Sequence, residues 1–248
     1  MKRLIVDIET APHKVYTWGL FNQNIAINQI DKPGYILCWS AKWHGKPKVR
    51  FRSIHHHGRE DMLGEIYDLF EEADGLIHYN GQRFDIPTLN QEFMSMGWPM
   101  PTPPVHIDLL LTVRKQFRLA SNKLAYVADY LGVGGKAPSF NMDLWRGCMA
   151  GDAASWREMK RYNMNDVVIT EAVYDRLLAW VPNHPNLALF HKSAGIACAS
   201  CGGSSLMKRG FQRTKVRSYQ RYQCRDCGAW SKERAHDKTA PKTRLVGV

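Results

Sequence analysis

Residues 4–10 read Leu-Ile-Val-Asp-Ile-Glu-Thr. At the strand period of two, Leu4, Val6 and Ile8 point one way and Ile5, Asp7 and Glu9 the other. Thr10-Ala11-Pro12 ends the run. A strand with one wholly apolar face belongs in a sheet core, where an aspartate is seldom kept unless something pairs with it. Side chains two residues apart on a strand share a face about 7 Å apart. Asp7 and Glu9 therefore project side by side. Taken alone, such a pair also describes an exposed strand edge, so the rest of the chain must say what answers the charge.

Outward from this strand, Tyr35–Trp43 and Val49–Ile54 predict two strands of a hairpin turning at HGKP. Residues 13–33 read as irregular but aromatic. Met62, Ile66, Leu69 and Phe70 lie at helical spacing within 60–72. Gly75–Tyr79 predicts a short buried strand, and Ile86–Met96 a helix stopped by WPMPTPP. Val105–Ile107 predicts another short strand, after which Asp108 caps a helix to about Phe117. Further helices are expected at 124–131 and 153–178. This order suits an α/β fold, a mixed β-sheet flanked by helices with a hairpin inserted after its first strand.

Asp85 follows the strand GLIHY and an Asn-Gly turn, at the start of the next helix, where capping would also suit it. Tyr162 and Asp166 are four apart on a helix and share a face, a spacing that a surface pair satisfies equally well. Brought together, Asp7, Glu9, Asp85 and Asp166 would suit two hard divalent cations able to cleave a phosphodiester.

The net charge of +11 is uneven. Residues 191–248 contain thirteen basic and three acidic side chains, leaving 21 basic and 20 acidic in 1–190. A near-neutral body with a polyanion-binding appendage is expected. Of six cysteines, Cys198/Cys201 and Cys224/Cys227 form two C-x2-C pairs separated by 22 residues. Four such thiolates fit one structural Zn²⁺ with no open position. Cys38 and Cys148 read as buried free thiols. Between the pairs, Lys208, Arg209, Arg213, Lys215, Arg217 and Arg221 are interleaved with Phe211, Tyr219 and Tyr222, a composition that neutralises phosphates and stacks on bases. His55-His56-His57 reads as a surface turn.

DIET at 7–10, then NGQRFD with Asn80 and Asp85, then Tyr162-x3-Asp166 occur in an order and spacing that resemble the DEDD superfamily of 3′→5′ exonucleases, in its tyrosine branch with the proofreading domains of DNA polymerases. The resemblance covers about residues 4–170. It implies an RNase H-like fold and two Mg²⁺ or Mn²⁺ ions on Asp7, Glu9, Asp85 and Asp166. It also implies a water-orienting Tyr162 and a nucleotide contact by Asn80. Thr10, Trp18 and Phe21 are further candidate substrate contacts. YQCRDCGAW resembles the zinc ribbons of transposases and other DNA-binding proteins. The expected organisation is an exonuclease domain over 1–183, a zinc ribbon over 191–235 and a basic tail over 236–248.

The expected substrate is nucleic acid, DNA ahead of RNA, with 5′-mononucleotide products. A nuclease-like binding protein that cuts weakly or not at all, and a recombinase or transposase-like enzyme, are the competing readings. The start MKRLIVDIETAPH lacks the apolar stretch and cleavage site of a signal peptide, and no apolar run is long enough for a membrane span. A stand-alone cytoplasmic nuclease is expected, acting in the host cytoplasm if it is phage-encoded.

Overall fold

A computed structural model describes residues 1–134, 141–190 and 195–239. The expected ribbon boundary at 191, and the tail beyond residue 239, lie outside the described residues. Two compact units divide the chain, Lys2–Val173 and Tyr174–Val248 with Met1.

The first unit is built on β1 (Arg3–Thr10), β4 (Ile36–Trp43), β5 (Val49–Ser53), β6 (Gly75–His78) and β7 (Val105–Asp108). The sheet order is β5-β4-β1-β6-β7. β4 runs antiparallel to β1 and β5, whereas β6 and β7 run parallel to β1. The hairpin therefore precedes two parallel strands that need helical crossovers. These are α2 (Arg59–Glu72) before β6 and α3 (Asp85–Ser95) before β7. The remaining helices of this unit are the single turn α1 (Ile54–His57), α4 (Leu109–Gln116), α5 (Leu124–Tyr130), α6 (Met142–Met149) and α7 (Ala153–Leu177). The boundary between units falls inside α7.

The alternation in β1 divides the core as its sequence implies. Leu4, Val6 and Ile8 pack with Trp39 of β4 and with Met62, Ile66, Phe70, Leu89 and Phe93, the apolar stripes of α2 and α3. The opposite face carries Asp7 and Glu9, set across from Ser40 and Cys38 of β4. There Cys38, Leu144, Cys148, Trp156 and Met159 form a second cluster with α6 and α7. Lys42 of β4 pairs with Glu171 of α7, both largely buried, and Glu171 also accepts the Gly45 N–H at 2.7 Å. Both bonds brace the long helix over this face.

Two features depart from the sequence expectations. Residues 13–33 include a small antiparallel ladder, β2 (Lys14–Val15) with β3 (Ile30–Lys32). Too few residues pair there for a strand period to register. α6 was not anticipated, because eight residues with two buried side chains carry little periodic signal. The three histidines lie in a turn at the surface, as expected, with His55 and His56 exposed. It is one helical turn capped by the Ser53 hydroxyl, with His55 stacked on Trp156 at 5.2 Å. Asp108 does cap α4, accepting the Leu110 and Leu111 N–H groups.

The second unit contains a three-stranded antiparallel sheet, β10-β9-β8, formed by β8 (Leu206–Arg213), β9 (Ser218–Cys224) and β10 (Trp230–Lys232). Among the described residues, no helix is long and apolar enough to cross a membrane.

Candidate metal centres

Asp7 and Glu9 lie near the carboxyl end of β1, and Asp85 follows the carboxyl end of β6. In open α/β sheets this end, where strand order reverses, is where ligands bind. A β-bulge falls between Glu9 and Thr10, a device that re-aims side chains beside sites. Asp166 reaches the same place from α7. Ligand atoms of Asp7, Glu9 and Asp166 all lie within 4.8 Å of one another.

Asp85 joins differently. It is the first residue of α3, yet its carboxylate reaches across to accept the Ile8 N–H at 3.0 Å. Phe84 holds the cap position and makes no side-chain cap bond. This aspartate is thus tied to the strand that bears the other acids rather than employed only as a helix cap.

Burial and mutual repulsion act on the whole group. Asp7 is pushed well above the ordinary carboxylate range, first by burial and then by Asp85, Glu9 and Asp166. Glu9 is pushed up to about 8 by burial, Asp166 and Asp85. Asp85 and Asp166 each rise to about 6, with burial the largest cause in both. Buried carboxylates in this number require protons or a cation. An oxygen-only set of hard donors fits Mg²⁺ or Mn²⁺.

The neighbours of these acids were not legible in the sequence. Asn163, fully buried on α7, donates from Nδ2 to Asp7 Oδ2 at 2.6 Å and to the Asp7 carbonyl at 3.3 Å. The Cys38 thiol lies 4.0 Å from its Oδ1. Trp145 hydrogen-bonds Glu9 and packs edge-on against Tyr162, with ring centroids 6.3 Å apart. Asn163 adjoins Tyr162, a weak signal at best. Nothing local marks Trp145, because α6 itself had no clear pattern.

Tyr162 donates its hydroxyl to Asp166, and burial and the surrounding carboxylates hold its own proton on tightly. Asn80 has a left-handed backbone with φ of 70°. Thr10 sits at the bulge. Trp18 and Phe21 are exposed, at 101% and 83%, which rules out core packing. No charged residue occurs from Val15 to Ile30, and the loop is stiffened by its own amides, with Gln29 Oε1 accepting the Ala26 N–H and Gln29 Nε2 donating to the Tyr16 carbonyl. Cys38 and Cys148 are buried free thiols.

In the second unit, ligand atoms of Cys198, Cys201, Cys224 and Cys227 lie within 4.8 Å of one another. Cys198 and Cys227 sulfurs are 3.6 Å apart, as are those of Cys201 and Cys224. A tetrahedral Zn²⁺ with bonds of about 2.3 Å has sulfur–sulfur edges of about 3.8 Å, so the set fits that ion. Each pair is followed by a glycine with φ of 77°, Gly202 and Gly228. Their N–H groups donate to the Cys198 and Cys224 carbonyls at 2.8 and 3.1 Å. A left-handed residue is needed at that turn, and glycine adopts it without a Cβ penalty.

Lys208, Arg209, Arg213, Lys215 and Arg217 are exposed along β8 and its turn into β9. Arg221 differs: its guanidinium lies over the Trp230 ring at 5.1 Å. Lys232 covers Tyr219 at 4.7 Å. Of the aromatic faces expected for bases, that of Tyr219 is thus already met by a cation.

A family model described as the RNase_H superfamily matches residues 4–178. Among solved structures, the family B DNA polymerase from the hyperthermophilic archaeon Pyrobaculum calidifontis is similar at a TM-score of 0.54 and 18% identity, over 72% of this chain and 24% of that one. The chain thus spans about a quarter of the polymerase's length, and the likeness is one of fold. No curated protein matches the chain in sequence. The family match runs from the first strand to the end of α7, the same stretch that carries all four acids, and by it the chain belongs to the RNase_H superfamily.

Proposed function

We propose that the protein is a 3′→5′ exonuclease that hydrolyses nucleic acid, DNA in preference to RNA, to 5′-mononucleotides. The observation that carries this reading is the convergence of Asp7, Glu9 and Asp166 within 4.8 Å, with Asp85 bonded to the same strand. These four carboxylates would hold two Mg²⁺ or Mn²⁺ ions. When bound, such ions supply a water ionised at neutral pH and stabilise charge on the attacking and departing oxygens.

The chain's own groups do the rest. Asn163 fixes the Asp7 carboxylate through a short charge-assisted bond. Tyr162, kept protonated at neutral pH, orients the attacking water as a hydrogen-bonding group rather than acting as a base. Asn80 and Thr10 contact the terminal nucleotide. Trp18 and Phe21 offer ring faces to unpaired bases, for which a charge-free aromatic loop is suited. The four cysteines hold one structural Zn²⁺. The basic strand and turn from Lys208 to Arg217 attract the phosphate backbone, which makes the ribbon a tether of the exonuclease domain, in a division of about 1–183 and 191–235.

The test is a ladder. The protein is incubated with 5′-labelled single- and double-stranded DNA and RNA in Mg²⁺ or Mn²⁺. Stepwise shortening with release of 5′-mononucleotides is expected. Binding without shortening would replace this reading with that of a non-cutting nucleic-acid-binding protein, and strand transfer into a duplex would replace it with a recombinase.

A further inference from the structure

His78 closes β6 with its side chain fully buried. Its Nδ1 accepts the Gly81 N–H at 3.1 Å, and its Nε2 lies 3.2 Å from Nδ1 of His106. Asp108 ends the neighbouring strand β7, in register with His78, and its Oδ2 stands 3.5 Å from His78 Nδ1. Asp108 Oδ1 accepts three backbone N–H groups, from Asn80 at 3.0 Å, Leu110 at 3.0 Å and Leu111 at 3.4 Å. Two adjacent strands therefore end in side chains that grip one turn.

That turn leads directly to Asp85. Asn80 takes a left-handed conformation, and a Cβ on Gly81 would lie 2.5 Å from the His78 ring, so turn and imidazole are in close contact. The Asn80 carbonyl accepts the Phe84 N–H at 3.2 Å and the Gly81 carbonyl accepts the Ile86 N–H at 2.9 Å. The first turn of α3, and Asp85 with it, hangs from Asn80 and Gly81. Helix capping accounts for two of the three bonds to Asp108 Oδ1 but not for the one from Asn80. Apolar packing would not require a ring acceptor aimed at Gly81.

We propose that His78 and Asp108 are positioning residues, which together set the Asn80–Phe84 turn and so seat Asp85 against β1, with His78 acting through its Nδ1 acceptor. This rests on the reading of Asp85 as a metal ligand. His78→Asn places an amide oxygen where Nδ1 was and preserves an acceptor for Gly81. His78→Gln places its amide near Nε2 and leaves the Gly81 N–H without one.

The full-length zinc-loaded chain and both variants are compared by calorimetric titration with Mn²⁺, by amide hydrogen exchange at Gly81, and by kcat and KM on a short oligonucleotide. In His78→Gln, Mn²⁺ affinity is expected to fall about 10- to 100-fold, kcat to fall more than KM rises, and Gly81 protection to be lost. His78→Asn is expected to keep Mn²⁺ affinity within about threefold of wild type and to retain Gly81 protection. Equal behaviour of the two variants, whether both intact or both impaired, overturns the proposal.

Should neither histidine variant fold, Asp108→Ser retains a helix cap with a shorter reach. A fall in Mn²⁺ affinity of about tenfold at unchanged helix content supports the proposal, and unchanged affinity overturns it. A wild-type chain that binds no Mn²⁺, while Gly81 protection still follows the Asn and Gln pattern, would sink the metal reading and leave the turn-setting role standing.

Discussion

At the scale of single residues, the site's chemistry lies in how its acids crowd one another. Asp7→Ala should lower the rate of nucleic-acid hydrolysis by about three or more orders of magnitude, as loss of a carboxylate that would hold the divalent ions implies, while the circular dichroism spectrum stays that of the folded chain. Asn163→Ala frees the Asp7 carboxylate and should cost about 10- to 100-fold in Mn²⁺ affinity or activity, read by titration and by rate. Glu9 makes a prediction about pH. Its carboxyl titrates at about 8 in the folded chain against an ordinary 4.5, so between those values the folded state binds a proton that the unfolded state has released. Its stabilising contribution is complete below the lower value and is lost as pH rises through the upper one. In buffer without divalent ions, Glu9→Gln should match wild type near pH 4.5 and gain on it steadily to pH 8. A gain of roughly 2–4 °C in melting temperature per kcal/mol is expected. Added Mn²⁺ should erase that gain, and a flat difference across the range would discount the burial and crowding that raise this carboxyl.

At the scale of elements, the site depends on α7 lying over the acid-bearing face of the sheet. Lys42 and Glu171 brace it from β4, both largely buried. Glu171→Ala leaves a buried ammonium without its partner and should destabilise the first unit by about 3–5 kcal/mol, measured by urea denaturation. A loss below about 1 kcal/mol, the range of exposed pairs, would show that the helix is held by its apolar stripe alone. The elements themselves were mostly legible. Met62, Ile66, Leu69 and Phe70 marked α2 because each buries one side of a long amphipathic helix. β2, β3 and α6 escaped because each is too short, or too lightly buried, to impose a period on its residues.

At the scale of the whole molecule, charge is segregated from chemistry. The first 190 residues are nearly neutral, and the basic excess lies in residues 191–248. Replacing Arg213, Lys215 and Arg217 together by Glu should weaken DNA binding and flatten its salt dependence, by about 0.7–0.9 in log–log slope for each phosphate no longer neutralised. Hydrolysis of a mononucleotide ester should remain within about twofold, since no phosphate tether is needed there. An unchanged slope would remove the ribbon from substrate binding. Zinc analysis of the same variant should still find about one ion per chain, because none of the substituted residues is a cysteine ligand.

The sequence by itself determined the alternation that buries one face of β1, the helix periods and the paired cysteines, since each is written within a few neighbouring residues. The four acids stood out only through the joint order of their motifs, because each alone also fits a strand edge, a helix cap or a surface pair. It also marked Asp85 at a helix start, but capping explained that position equally well. Only the tertiary structure decided that Asp85 turns from its own helix to the Ile8 N–H, that Asn163 clamps Asp7, and that Arg221 is engaged by Trp230. The Asp85 and Asn163 pairings join residues 77 and 156 positions apart in the chain. Local propensity and periodicity act over a turn or a strand. Which distant partner satisfies a buried polar group is settled only when the sheet and its covering helices have closed around it.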